Sequence, residues 1–182
     1  MTIILDPGHG MSNRKAGVYD PGACSGKFEE ASIALEWVNE LRAILQKAGH
    51  KVVRTRVDAK DPAPVSKRAG IAKEYKGEIM LSFHCNAADG KANGTETFYR
   101  GKENAAKATR INDAVRIALG TKDRGIKTES QSQHARLAVM AFQPCFLIEL
   151  GFIDHAFDRA KMIDPALRRK ACEAIAHCIT AS

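Results

Sequence analysis

Four side chains suited to metal-assisted hydrolysis lie far apart in this 182-residue chain, each next to an apolar stretch. His9 follows Ile3–Ile4–Leu5 in the turn Asp6–Pro7–Gly8–His9–Gly10. His84 ends the run Ile79–Phe83, and Glu149 ends the run Phe146–Leu147–Ile148. Glu30 opens the amphipathic stretch that follows the first apolar run. In open α/β sheets the carboxyl ends of parallel strands share one rim, where sites form. Two imidazoles and a carboxylate are thus expected at a common edge, and a helix starting there brings Glu30 to the same place. Two histidines and a carboxylate, with a coordination position left for water, form a ligand set of catalytic zinc. A further carboxylate beside the water can act as general base. Singly, each residue has a plainer reading: a histidine in a turn, a satisfied core histidine, a helix-start acid favoured by the dipole. Glu149 resists the plain reading most, because a carboxylate buried after Cys–Phe–Leu–Ile is costly without a partner.

The elements that must position these residues alternate. Strands are expected at Thr2–Leu5, Lys51–Thr55, Glu78–Phe83, Thr95–Tyr99 and Cys145–Ile148, with a short extended piece at Leu137–Met140. Helices are expected over Glu30–Lys47, Val65–Tyr75, Glu103–Leu119 and Pro165–Ile179. In the first of these, Ala34, Val38, Leu41, Leu45 and Ala48 recur at helical spacing, and Gly49 stands where a helix stops. The order predicts an α/β fold: a single domain with a mostly parallel, twisted sheet of about six strands and helices on both faces. With no linker, repeat or low-complexity segment, residues 1–182 read as one domain with no second module.

Composition narrows the class further. No stretch approaches the roughly 18 apolar residues of a membrane helix. The net charge of +7 suits an anionic partner, and no basic run interleaved with aromatics points to nucleic acid. Cys24, Cys85, Cys145, Cys172 and Cys178 are odd in number and none forms a two-residue-gap pair, so they read as reduced thiols. Adjacent strand residues face opposite sides, so Cys85 is expected to point away from His84. The first residues, Met1 to Asp6, enter an apolar run without a basic segment, and no export signal is read there. Ser12–Lys15 matches the S-x-x-K string of penicillin-recognising acylases, but without the partner motifs of that class.

The motifs in order resemble the type 3 N-acetylmuramoyl-L-alanine amidases, zinc hydrolases of the bacterial cell wall. The family's D-P-G-H-G is matched at Asp6–Gly10, and its E-x-x-x-N-L at Glu30–Leu35. Its G-x-x-V-x-x-T-R falls at Gly49–Arg56, and S-x-H-A-N-A at Ser82–Ala87. G-x-x-x-x-Y is found at Gly94 and Tyr99, R-G-I-K at Arg124–Lys127, and P-x-x-L-x-E-x-G-F-I from Pro144 to Ile153. Departures from the family pattern are Ala34 for asparagine, Cys85 for alanine, and Asp154–His155 for Ser–Asn.

The resemblance implies one Zn2+ held by His9, Glu30 and His84, with Glu149 as the catalytic carboxylate that takes the water proton. Glu29 competes with Glu30 for the ligand role. Asp6 and Asn86 flank ligands and could orient an imidazole, or Asp6 could simply cap its own turn. His50 and His177 read as structural, and His134 as a residue bordering the cleft. The resemblance further implies peptidoglycan as substrate, cut between N-acetylmuramic acid and L-alanine. The alternatives are a zinc endopeptidase cutting within the stem peptide and a non-catalytic wall-binding module. The setting expected is a monomeric phage or prophage endolysin, made in the cytoplasm and released through an opened membrane. Its basic surface would help it reach anionic envelope polymers. An exported protein whose signal has been removed would read the same.

Overall fold

The computed structural model describes residues 1–181. In chain order, β1 (Thr2–Pro7) leads into a glycine-rich segment with two small hairpins. These pair β2 (Gly10–Met11) with β3 (Tyr19–Asp20), and β4 (Cys24–Ser25) with β5 (Phe28–Glu29). Then come α1 (Glu30–Lys47), β6 (Lys51–Arg54), α2 (Arg68–Glu74), β7 (Ile79–Asn86), β8 (Thr95–Tyr99) and α3 (Ala105–Leu119). The chain closes with β9 (Asp123–Thr128), β10 (Cys145–Phe152), α4 (Ala156–Ile163) and α5 (Pro165–Thr180).

Six strands form one sheet in the order β6-β1-β7-β10-β8-β9. The first four run parallel, β8 pairs antiparallel with β10, and β9 runs parallel to β8. The single reversal matters for function. The carboxyl ends of β1, β7 and β10 share their rim with the amino ends of β8 and β9, so that edge collects residues from five strands.

Alternation along the buried strands sends side chains to two cores. Ile3, Leu5, Ile79, Leu81, Phe83, Phe146 and Ile148 pack with Ile33, Trp37, Val38 and Leu41 of α1, Ile111 and Val115 of α3, and Cys172 and Ile175 of α5. Ile4, Met80, Phe98, Cys145 and Leu147 face the other way, onto Ala69 and Ala72 of α2 and onto Val139, Met140 and Phe142. The cover is unequal. Three long helices seal the first face, while the second has a two-turn helix and an irregular segment, which leaves a depression at the rim.

The expected strands and helices are present, with local differences. Val65–Lys67 and Lys102–Asn104 are 3-10 turns leading into α2 and α3. The piece expected to be extended at Leu137–Met140 is instead a 3-10 helix over Ala138–Ala141, because Val139 and Met140 must both turn inward against the second core. Besides the short strands β2 to β5, two elements escape the sequence reading. β9 (DRGIKT) is a partly exposed edge strand with no apolar alternation, and α4 is a short, polar helix capped by His155.

Candidate active site

His9 leaves the end of β1 with φ at +57°, a left-handed conformation uncommon outside glycine. Two buried arginines hold the turn there. Arg68 donates to the carbonyls of Pro7 (2.8 Å), His9 (2.7 Å) and Ala63 (2.9 Å), to Asn13 Oδ1 (3.0 Å) and to Asp6 Oδ1 (2.6 Å). Arg56 donates to the carbonyls of Pro7, Gly8 and Ala31. Asp6 also accepts from Ser82 and Thr55. Burial alone would raise the Asp6 pKa, but Arg68 and the two hydroxyls outweigh it and hold the carboxyl below its ordinary value. Asp6 therefore braces the turn rather than orienting an imidazole.

The imidazole of His9 is oriented by Asp20. Asp20 Oδ2 lies 3.1 Å from Nδ1 of His9 and accepts from Asn13 Nδ2 at 2.7 Å, while Oδ1 accepts from the Gly22 amide at 2.9 Å. Burial works against the Asp20 charge, but the Asn13 and His9 hydrogen bonds prevail and bring its pKa to about 2. On the other side of the ring, Nε2 of His9 is 3.1 Å from Glu30 Oε1.

Glu30 is the glutamate of the cluster. Its neighbour Glu29 turns away and accepts from the Tyr19 hydroxyl. Glu30 is 3% exposed, and its Oε1 sits between the two imidazoles, 2.8 Å from Nδ1 of His84. The amides of Ala23 and Cys85 donate to its two oxygens. Burial raises the Glu30 pKa, yet His84 and His9 more than reverse this and keep it far below the usual carboxylate range. His9 responds in kind. Burial lowers its pKa, and Glu30 and Asp20 raise it above the ordinary value.

The donor atoms of His9, Glu30 and His84 lie within 4.8 Å of one another. Donors about 2.0–2.2 Å from a tetrahedral zinc would be about 3.3–3.6 Å apart, so the two separations from Glu30 Oε1, 3.1 Å to His9 and 2.8 Å to His84, fit a shared ion after a small outward shift of the carboxylate. Glycines make the approach possible. A Cβ on Gly22 would sit 2.6 Å from Glu30 Oε2 and 2.7 Å from Cδ2 of His9, and one on Gly8 would strike the His84 ring. Cys85 points to the opposite face, into the first core, as alternation predicts.

Glu149 is the strand partner of His84, and the β7–β10 register slips just after it, between Glu149 and Phe152. Its Oε2 is enclosed and has no hydrogen-bond partner among the described residues. Burial pushes the Glu149 pKa well up, Glu30 and Glu96 add to the rise, and Lys127 opposes it. An acceptor without a partner, beside a cluster of metal-type donors, is the arrangement expected of a general base waiting for a water proton.

His9, Glu30, His84 and Glu149 line one cleft of about 860 Å³ on the thinly covered face, together with Glu96, Arg124, Lys127, His134 and Arg136. Asn86, a candidate to orient an imidazole, donates instead to Glu96 Oε1 at 3.0 Å. Asp20 and Glu96 are the site residues that sequence reasoning missed. Asp20–Pro21–Gly22 repeats the pattern of Asp6–Pro7–Gly8 and was legible only as a turn. Glu96 sits at the start of a strand, whereas the rim argument searched strand ends.

A single α/β domain that brings two imidazoles, one carboxylate and an unpartnered second carboxylate to a sheet rim has the architecture of a hydrolase whose rim could hold a metal ion. Comparison with known proteins makes the assignment specific: residues 3–181 match the N-acetylmuramoyl-L-alanine amidase family, and the chain belongs to it. It is 30% identical to the N-acetylmuramoyl-L-alanine amidase LytC of Bacillus subtilis, over 96% of this chain and 34% of that protein. It is also 30% identical to the germination-specific N-acetylmuramoyl-L-alanine amidase of the same organism, over 95% of this chain and 76% of that protein. The chain spans about a third of the length of LytC and of an uncharacterized cell wall amidase of Bacillus anthracis. Among solved structures, the catalytic domain of the amidase CwlV from Bacillus (Paenibacillus) polymyxa superposes with a TM-score of 0.84 at 27% identity, covering 98% of this chain and 96% of that one.

Proposed function

We propose that the chain hydrolyses the amide between N-acetylmuramic acid and L-alanine in peptidoglycan, with one zinc ion held by His9, Glu30 and His84. The observation that carries this reading is the convergence of three metal-type donors on one point beside the unpartnered Oε2 of Glu149. Family membership supplies the bond. Zinc would contribute Lewis-acid polarisation of the lactyl carbonyl and a lowered pKa for the attacking water.

The chain's own residues do the rest. Asp20 holds the His9 ring through Nδ1 and leaves Nε2 toward the cluster. The backbone amides of Ala23 and Cys85 fix the Glu30 carboxylate. Glu149 takes the proton of the attacking water and returns it to the leaving amine of L-alanine. A carboxyl whose pKa is raised by burial and by Glu30 is suited to both transfers. The setting proposed is that of a lysis enzyme. The net charge of +7 supports an approach to anionic envelope polymers.

The test is digestion of defined cell wall with and without a chelator, scoring freed amino termini and reducing sugar separately. The expected result is L-alanine amino termini without new reducing ends, abolished by the chelator and restored by zinc. Another amino-terminal residue would identify an endopeptidase instead, no freed amine a binding module, and indifference to chelation would remove the metal.

A further inference from the structure

The stretch Arg124–Lys127 holds neither the proposed metal nor the transferred proton, yet both of its cations line the same cleft. Lys127 Nζ and Arg124 Nε both donate to a single oxygen, Oε2 of Glu96, at 2.6 and 2.7 Å. The other oxygen accepts from Asn86 at 3.0 Å. Glu96 is 4% exposed, whereas the two cations keep 30% and 28% of their side chains exposed. Two positive charges on one carboxylate leave a surplus of one, at the wall of a cleft. The surplus is reinforced by Arg136, exposed on the same cleft and without an ion-pair partner among the described residues.

Position gives the surplus a direction. Across the rim the order is His84, Glu149, Glu96 and then β9, since His84 pairs with Glu149 and Glu149 with Glu96. The backbone of β9 therefore stands about two strand spacings, roughly 10 Å, beyond Glu149 on the side away from the metal-type cluster, and its two cations reach back as far as the Glu96 carboxylate. Two extended residues span about 7 Å, and a carboxylate with a long cationic side chain reaching toward it covers the remainder. The ring of Phe152 under the Arg124 guanidinium (4.8 Å) and that of Phe98 near Lys127 (5.9 Å) hold both cations over the cleft floor.

We infer that Lys127 and Arg124 form a carboxylate subsite that binds the free acid of the stem-peptide residue following L-alanine, and so select acidic over amidated stems. This rests on the amidase reading above. Lys127 has ammonium hydrogens left over from Glu96, and the guanidinium of Arg124 retains an unused terminal nitrogen, so both can donate to an incoming carboxylate without releasing Glu96.

The test is kinetics on two soluble N-acetylmuramoyl peptides that differ only in that group, free carboxylate against carboxamide. The wild type should show a KM about tenfold lower for the acid, with kcat little changed. Lys127→Met should bring the ratio between the two substrates close to unity, and Lys127→Arg should restore most of it. Equal KM values in the wild type, or a Lys127→Met loss shared in proportion by both substrates, overturns the subsite while leaving the amidase reading intact. Release of no amine from either substrate overturns both. A measurement free of variants is inhibition of the wild type by the dipeptide carrying the free acid. It should inhibit about tenfold more strongly than its amidated twin, and equal inhibition overturns the inference.

Discussion

Replacing Arg68 with methionine removes the brace beneath the proposed metal site, and its cost can be worked from the structure. The guanidinium makes five hydrogen bonds, to Asp6, Pro7, His9, Asn13 and Ala63, and is 1% exposed. Its ion-pair partner Asp6 is fully buried. Breaking one side of a buried pair costs about 3–5 kcal/mol, because the other charge is left uncompensated. At about 2–4 °C per kcal/mol for a chain of this size, Tm should fall by about 6–20 °C near neutral pH. The pH dependence has a definite sign. In the wild type the Asp6 pKa lies below its unfolded value of 3.8, so its contribution is complete above about pH 4 and is lost as pH falls through the depressed folded value. Without Arg68, burial dominates and favours the protonated acid, so the variant gains where the wild type loses. The gap in Tm should therefore narrow on acidification, and Asp6→Asn in the Arg68→Met background should recover part of the loss at neutral pH. Circular-dichroism melts at neutral and acid pH measure both effects. A variant melting within about 2 °C of wild type, or a gap indifferent to pH, would refute the reasoning.

Asp20→Ala removes the acceptor at Nδ1 of His9, and zinc affinity should fall about 10–100-fold in a competition titration against a chromophoric chelator. Gly22→Ala places a methyl 2.6 Å from Glu30 Oε2 on a backbone with φ at +70°. Zinc stoichiometry should drop below one per chain while far-ultraviolet circular dichroism stays near wild type. Cys85→Ala should leave zinc stoichiometry unchanged, since the thiol packs in the core on the opposite face of the sheet.

Much of this was legible in the residues because strand direction carries it. An apolar run ending in histidine or glutamate, repeated in β1, β7 and β10, assigns those side chains to one rim once the strands are parallel. The placement of Glu30 followed from α1 starting at that rim. What escaped was anything defined by a partner across the fold. Asp20 is recognisable as the support of His9 only when the hairpin of β2 and β3 folds it back. Glu96 became a site residue because β8 runs against its neighbours and brings its start, not its end, to the cleft. Proximity in sequence offers Asp6 and Asn86 to the imidazoles, with a turn role for Asp6 as the alternative; in space Arg68 claims Asp6 for the turn and Glu96 claims Asn86. The polar edge strand β9 had no alternation to reveal it, yet it supplies the cations opposite Glu149.

The most direct test of the central claim is a paired measurement on Glu149→Gln, which keeps the shape of the side chain and removes its ability to take a proton. Metal analysis should find one zinc per chain, as in wild type, while release of L-alanine amino termini falls by about 10²–10⁴. A variant that still cleaves at a rate within about tenfold of wild type, or one that loses its zinc together with its activity, would contradict a division of labour in which His9, Glu30 and His84 hold the metal and Glu149 moves the proton.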